Sequence, residues 1–241
     1  DDSGGVATEI RASSTLSNFA CGLGALRSNT TGAYNSAIGN LALCNNSVAL
    51  YNSAVGFQAL YNNTNGSNNS AMGFQALYAN TTGVRDSAMG SQALYNNTSG
   101  SYNSAMGSQA LYNNTSGLYN SAVGFQALYN NTNGSNNSAM GFQALYNNTS
   151  GSYNNAVGTY ALYDLISGSY NTAQGSNTGR GITTGSYNTI LGALVTGLAS
   201  DLSYNIILAS GDGKIREQID ASGVATFTST AASSNAVTDV L

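Results

Sequence analysis

A glycine recurs at Gly22, Gly39, Gly56, Gly73, Gly90, Gly107, Gly124, Gly141, Gly158, Gly175 and Gly192, each 17 residues after the last, with no insertion or deletion. One more step reaches Ala209 in the degenerate copy "NIILAS". So strict a period means that every copy occupies the same spatial step. Helical-pair repeats need about 34 residues or more. Seventeen residues punctuated by Gly, Asn and Thr hold instead two short strands and two turns, one coil of a β-solenoid. Stacked coils stand about 4.8 Å apart, which predicts a rod on the order of 55 Å long.

The unit reads S-A-V/M-G-x-Q-A-L-Y-N-N-T-x-G-x-Y/N-N. The whole stretch from Asn52 to Tyr78, "NSAVGFQALYNNTNGSNNSAMGFQALY", returns letter for letter from Asn120 to Tyr146. Stacking turns each position into a column along the axis, and burying apolar columns drives stacking. Two columns are the expected core. One is Ile38, Val55, Met72, Met89, Met106, Val123, Met140 and Val157, which holds all four methionines of the chain; the other is Leu43, Leu60, Leu77, Leu94, Leu111, Leu128, Leu145 and Leu162. The glycine of "NNTxG" (Gly66, Gly83 and equivalents) is expected to supply a positive φ at a corner, and the Asn residues to bond coil to coil as in other ladders. Read as one long strand, "SAVGFQALY" carries apolar side chains on both alternating faces. A lone solenoid buries only its inner face, so the second set predicts coverage by other chains. The expected fold is an all-β parallel β-solenoid over 19–210, with a strand or cap at 1–18 and a hairpin or assembly segment at 211–241.

Composition narrows the function classes. Charged residues are 7%, against about 25% in an ordinary soluble domain. The net charge of −4 and the absence of a basic stripe exclude nucleic acid as an expected partner. No apolar run approaches the roughly 20 residues of a membrane span. The chain opens on Asp1-Asp2 rather than Met, which fits removal of a signal peptide or of an upstream segment. The two cysteines, Cys21 and Cys44, sit at different places in the repeat. Free or interchain thiols are the preferred reading, given the geometry that a bridge demands.

The chemical inventory is sparse. With no His, a Ser or Cys nucleophile lacks its usual base. Only Asp86 and Asp164 lie in the well-kept repeats, and more than four coils, about 20 Å, separate them, too far for a glycosidase pair. "SGDGK" at Ser210–Lys214 resembles half a calcium loop but lacks the further acids. Arg85-Asp86 interrupts the repeat and reads as a solvated pair. The sequons at Asn62, Asn96, Asn113, Asn130 and Asn147 read as turn-building residues rather than glycan acceptors, because glycans about 5 Å apart would crowd each other. Tyr61, Tyr78, Tyr95, Tyr112, Tyr129 and Tyr146 form a candidate ladder between chains or between coils. The expectation is a non-enzymatic chain with no cofactor and no metal. Carbohydrate-binding and ice-binding solenoids are minor alternatives.

The phrase "NSAVGFQAL" resembles the β-roll head repeats of YadA-like trimeric autotransporter adhesins, and more closely "NTAVGYQAL"-type repeats of bacteriophage tail fibre proteins and related bacterial surface proteins. The resemblance spans about Asn18 to Leu208 and extends weakly into "NIILASGDGKIREQIDASGVATF". It implies a left-handed, trimeric roll with an adhesive or structural role, located outside the cell, at its surface or on a virion. The departures are the 17-residue unit, longer than the usual adhesin unit, and the lack of heptads, of a barrel anchor and of a chaperone domain.

The two ends share a phrase, "DSGGVAT" at Asp2–Thr8 and "DASGVAT" at Asp220–Thr226. Only the second follows a strand-like segment, "KIREQI", so it completes a hairpin. One expectation is head-to-tail assembly by strand addition through Val6, Thr8, Ile10, Ile215, Ile219, Val224 and Phe227; the other is that both ends are caps. The partner is accordingly the chain itself, as a trimer or polymer, with a cell-surface receptor or glycan as the alternative.

Overall fold

The computed structural model describes residues 10–13 and 16–228. It is a parallel β-solenoid of about eleven turns, about 17 residues each. Strand β1 (Ile10–Ser13) is followed by β2 (Asn18–Cys21). Strands β3 to β12 are the three-residue segments Ser36–Ile38, Ser53–Val55, Ser70–Met72, Ser87–Met89, Ser104–Met106, Ser121–Val123, Ser138–Met140, Asn155–Val157, Thr172–Gln174 and Thr189–Leu191. Then come β13 (Ile206–Ala209), β14 (Ile215–Ile219) and β15 (Ala225–Phe227). From β2 to β13 the pairing is parallel, each residue opposite its equivalent one repeat away, as Ala54 is opposite Ala71. β1 lies antiparallel on β2, and β14 and β15 add antiparallel at the other end.

The ladder strand is shorter than the nine residues expected, and the backbone explains why. The glycine after each three-residue strand takes φ between 125° and 141°. A Cβ on Gly56 would sit 2.3 Å from the Gly73 carbonyl oxygen, so no other residue fits. Past it, Gln58 (φ 54°) and Leu60 (φ 52°) are left-handed. Such residues cost about 1–2 kcal/mol each. The corner offsets this by continuing the ladder: the Gln75 N–H donates to the Phe57 carbonyl (2.9 Å) and the Leu60 N–H to the Ala76 carbonyl (2.9 Å).

These corners also correct the expected core. The Leu column is fully buried from Leu43 to Leu162. The Val/Met column is not core: Ile38 is 43% exposed, Met72 51% and Met140 52%. Met89 and Met106 are exposed to the same degree, and Val55, Val123 and Val157 are half-buried. A three-residue strand turns only its middle residue inward, and that residue is the small Ala of the Ala37, Ala54 and Ala71 column. Alanine fits because Leu60 and its neighbours already fill the coil. Where the Leu column gives way to Gly179, the Ala column becomes Ile190, whose Cδ1 lies 3.4 Å from the place a Gly179 Cβ would take. Core volume is thus conserved.

A second alanine column, Ala42 to Ala161, is also fully buried, and two further buried columns are polar. One buried column is Asn35, Asn52, Asn69, Asp86, Asn103, Asn120 and onward. From Asn35 to Asn188 each Asn donates its amide to the carbonyl 14 residues on, a glycine's except at Ala49 and Leu202, and accepts the N–H of the next member. Thus Asn103 donates to Gly117 (2.9 Å) and accepts from the Asn120 N–H (3.0 Å). A second buried column runs from Asn46 to Asn148; Asn114 donates to Asn97 Oδ1 (2.8 Å) and to the Gly117 carbonyl (3.1 Å). It ends at Leu165, which leaves Asn148 Oδ1 without a partner. Amides satisfied on both sides make such a core affordable, since only unpaired buried polar groups carry the full desolvation cost. The glycine of "NNTxG" belongs to this packing. Its φ is not positive, contrary to expectation. A Cβ on Gly66 would lie 2.3 Å from the Gly83 carbonyl oxygen and 2.6 Å from Asn63 Oδ1, so close approach demands the glycine.

Candidate assembly surface

The strands place Ser53 and Val55, with their equivalents, on the outside of the rod. One residue past the corner glycine comes a second outward column: Phe57, Phe74, Ser91, Ser108, Phe125, Phe142, Thr159 and Ser176. The four phenylalanines are 41–48% exposed. Neither the Val/Met column nor this one contains a charged residue. On the other side of the strands stands a tyrosine column, with Tyr34, Tyr51, Tyr102, Tyr119, Tyr153, Tyr170, Tyr187 and Tyr204 all exposed. Their rings stack coil on coil at 4.8–4.9 Å. Neutral, apolar columns along one side of a rod form the kind of patch that marks an interaction surface.

The tyrosines singled out from the sequence form a separate, half-buried ladder. Tyr61 to Tyr163 stack at 5.0–5.3 Å with planes 4° to 9° apart. Their faces are taken by coil neighbours of the same chain. Burial, reinforced by the neighbouring phenols, raises the Tyr78 and Tyr112 hydroxyls above their ordinary range. The exposed tyrosine column was missed in the sequence. Its signal was Tyr or Asn at the sixteenth repeat position. The paired phenylalanines were missed too, although the duplicated 52–78 and 120–146 stretches carried them in plain view.

Beside the half-buried tyrosines runs an uncharged groove of about 660 Å³. Asn96, Asn113 and Asn130 line it together with Thr98, Thr115 and Thr132. Here the sequon asparagines bond to one another, Asn96 to Asn113 at 2.9 Å and Asn113 to Asn130 at 3.2 Å. Each threonine hydroxyl donates to the carbonyl one coil on, as Thr98 does to Thr115 (3.0 Å).

The charged groups fall elsewhere. Asp86 is not in a solvated pair with Arg85. It occupies the buried Asn column, accepting from the Asn103 N–H (2.8 Å), the Asn103 amide (3.1 Å) and the Asn97 amide (3.1 Å). Arg85 is exposed and bonds the Tyr102 hydroxyl. Burial pushes the Asp86 carboxyl up to about 7, more than these donors pull it down. Asp164 is bound by the Arg180 guanidinium (2.7 Å) and the Gly181 N–H (3.0 Å). Partial burial alone would raise its carboxyl, but those partners hold it below the usual range. In the "SGDGK" turn, Asp212 accepts from the Ser210 hydroxyl and the Lys214 N–H and faces Lys214 and Arg216. Its carboxyl is held at about 2, chiefly by the Ser210 bond. No cluster of three or more metal-ligating side chains occurs among the described residues. Cys44 is buried, Cys21 is half-buried, and they are not bonded to each other.

Of the residues expected at the ends, Val6 and Thr8 lie outside the described residues. Ile10 pairs with Cys21 across β1 and β2. Ile215 and Ile219 lie in β14, and Phe227 in β15 is 72% exposed; Val224, 59% exposed, precedes it. Among the described residues, β1 and β15 are the two edges of the sheet, about the full length of the rod apart. Among the described residues, no helix is long and apolar enough to cross a membrane. No protein-family model, no curated protein and no solved structure matches the chain.

Proposed function

We propose that this chain is a non-enzymatic structural subunit of an extracellular or virion fibre, which self-associates through its outer columns and through its two sheet edges. The observation that carries the reading is the exposed, charge-free column of Ile38, Met72, Met89, Met106 and Met140 beside the exposed phenylalanines. A solenoid that worked alone would put polar residues there. The strands β1 and β15, outermost among the described residues, support growth end to end, since sheet edges add strands. The test is electron microscopy of the whole protein with mass by light scattering. Filaments or multi-chain rods are expected; monodisperse single chains at tens of micromolar would overturn the reading.

A second reading is a discrete, left-handed trimer acting as an adhesin head or tail fibre that binds a cell-surface receptor. The uncharged groove along the Asn and Thr columns favours it, because a trough whose exposed surface is mainly apolar suits the CH faces of a neutral glycan. Glycan-array binding by short, discrete rods would favour this reading, and filaments formed without ligand would count against it.

A further inference from the structure

We infer that the outer face is self-complementary in one orientation, pairing two chains antiparallel about a two-fold axis between the Ser108 and Phe125 coils. This rests on the reading that the outer columns join chains, and it specifies how. The outer column past the corner glycine alternates in pairs: Phe57 and Phe74, then Ser91 and Ser108, then Phe125 and Phe142, then Thr159 and Ser176. The alternation is the structural consequence of the duplicated 27-residue phrase, whose copies lie four coils apart. Bulky pairs and gaps of equal length follow one another along the rod.

A two-fold axis in the interface, perpendicular to the rod, lays this column on its own copy in reverse order. With the axis between the Ser108 and Phe125 coils, Phe125 faces Ser108 and Phe142 faces Ser91. The outer two phenylalanines do the same: Phe74 faces Thr159 and Phe57 faces Ser176. All four exposed rings thus enter gaps left by small side chains. In the Val/Met column the same register sets Met106 on Val123 and Met72 on Val157, and puts Met89 against Met140. A parallel pair with coils at equal height about a two-fold along the rod would instead set the phenylalanine column against the tyrosine column. A parallel three-fold would bring each phenylalanine to the height of its own copies, leaving the gaps unfilled.

Three features support the contact. Successive rings of the half-buried tyrosine ladder lie within 4° to 9° of parallel, so neighbouring coils keep nearly the same orientation. Both columns lack charge, so closing them buries no unpaired ion. A strip about 55 Å long and about 15 Å wide offers roughly 800 Å² per chain, the share of a standard stable interface. An isologous contact of this kind closes on itself, and leaves the edges of β1 and β15 open for end-to-end growth.

The test uses full-length chains with Cys21→Ala and Cys44→Ala, one carrying Met72→Cys and the other Val157→Cys, mixed and treated with a short bis-thiol cross-linker. The expected result is cross-linking between the two variants and little within either alone. Five coils, about 24 Å, separate like positions in the antiparallel pair. Cross-linking of each variant to itself, with none between them, would show parallel chains and overturn this inference while sparing the parent reading. Single chains by light scattering would overturn both. A rescue series gives a second readout. Ser108→Phe alone should weaken pairing at least tenfold, and Ser108→Phe with Phe125→Ser should restore it. Failure of the double variant to recover, with its melting temperature unchanged, would also refute the register.

Discussion

Replacing Asp86 by Asn should stabilise the protein above neutral pH and abolish one component of its pH dependence. Asp86 is 1% exposed and fills a slot that every neighbouring coil gives to Asn. Its carboxyl rises from 3.8 to about 7 because burial outweighs the Asn103 and Asn97 donors. A pKa raised by folding means that the native state holds the proton more tightly than the unfolded chain does. The stability tied to that proton is therefore fully present below about pH 4. It is lost as the pH rises from there to about 7, and above that the ion is buried at full cost. At 1.36 kcal/mol for each tenfold change in proton affinity, the loss is about 4 kcal/mol. An Asn at this position carries no proton to lose, and its amide is placed to donate to the Gly100 carbonyl as Asn103 donates to Gly117. The assay is urea unfolding of both proteins, followed by far-UV circular dichroism from pH 4 to pH 9. Asp164, Asp212 and Asp220, whose carboxyls are lowered, contribute in the opposite sense, losing stability as pH falls. They are common to both proteins and cancel in the difference. The gap should widen in favour of Asp86→Asn from pH 4 to pH 7 and then level off. Parallel curves, or a gap that widens toward acid, would refute the reasoning.

Further outcomes follow from the packing. Leu111→Ala should cost about 2–5 kcal/mol, read as a lower urea midpoint, because Leu111 is fully buried in a coil closed above and below. Gly100→Ala should lower the melting temperature by more than an ordinary surface change, since the new Cβ would sit 2.3 Å from Asn97 Oδ1 and 2.6 Å from the Asn114 amide nitrogen. Asn114→Ala should cost about 1–3 kcal/mol, because Asn97 Oδ1 loses its donor, while the Gly117 carbonyl keeps the Asn103 amide and the Asn131 amide keeps the Gly134 carbonyl. Native thiol labelling should modify Cys21 well before Cys44, which is fully buried. Deleting residues 1–10 should abolish filaments, scored by negative stain; filaments of normal length would remove the strand-addition account of the ends.

The period made the coil readable. A 17-residue step without slippage leaves little besides a solenoid, and the Leu column marked one inward direction from the letters alone. The other assignments turned on backbone geometry that hydrophobicity does not encode. Met72 and Val55 look like core by composition, yet a three-residue strand ending at Gly56 turns only Ala54 inward. Leu60 and Gln58 adopt left-handed conformations uncommon for their types, because coil-to-coil bonding holds them there. The Asn columns defied the rule that polar residues face out, since each amide finds its partners one coil away. Asp86 looked like half of a surface pair because its neighbour in sequence is Arg85; its column, not its neighbour, determines its surroundings. The surface alternation of Phe57, Phe74, Ser91 and Ser108 was legible as spelling, but its meaning required knowing that this column faces outward.

The most direct test of the central claim, that stacked coils present an outer face which joins chains, is electron cryo-microscopy of the purified whole protein with its mass fixed by light scattering. The account predicts particles of at least two 24.5 kDa chains, side by side along their length, with an axial repeat of about 4.8 Å. Isolated rods one chain wide at every concentration, with solvent over the methionine and phenylalanine columns, would contradict it.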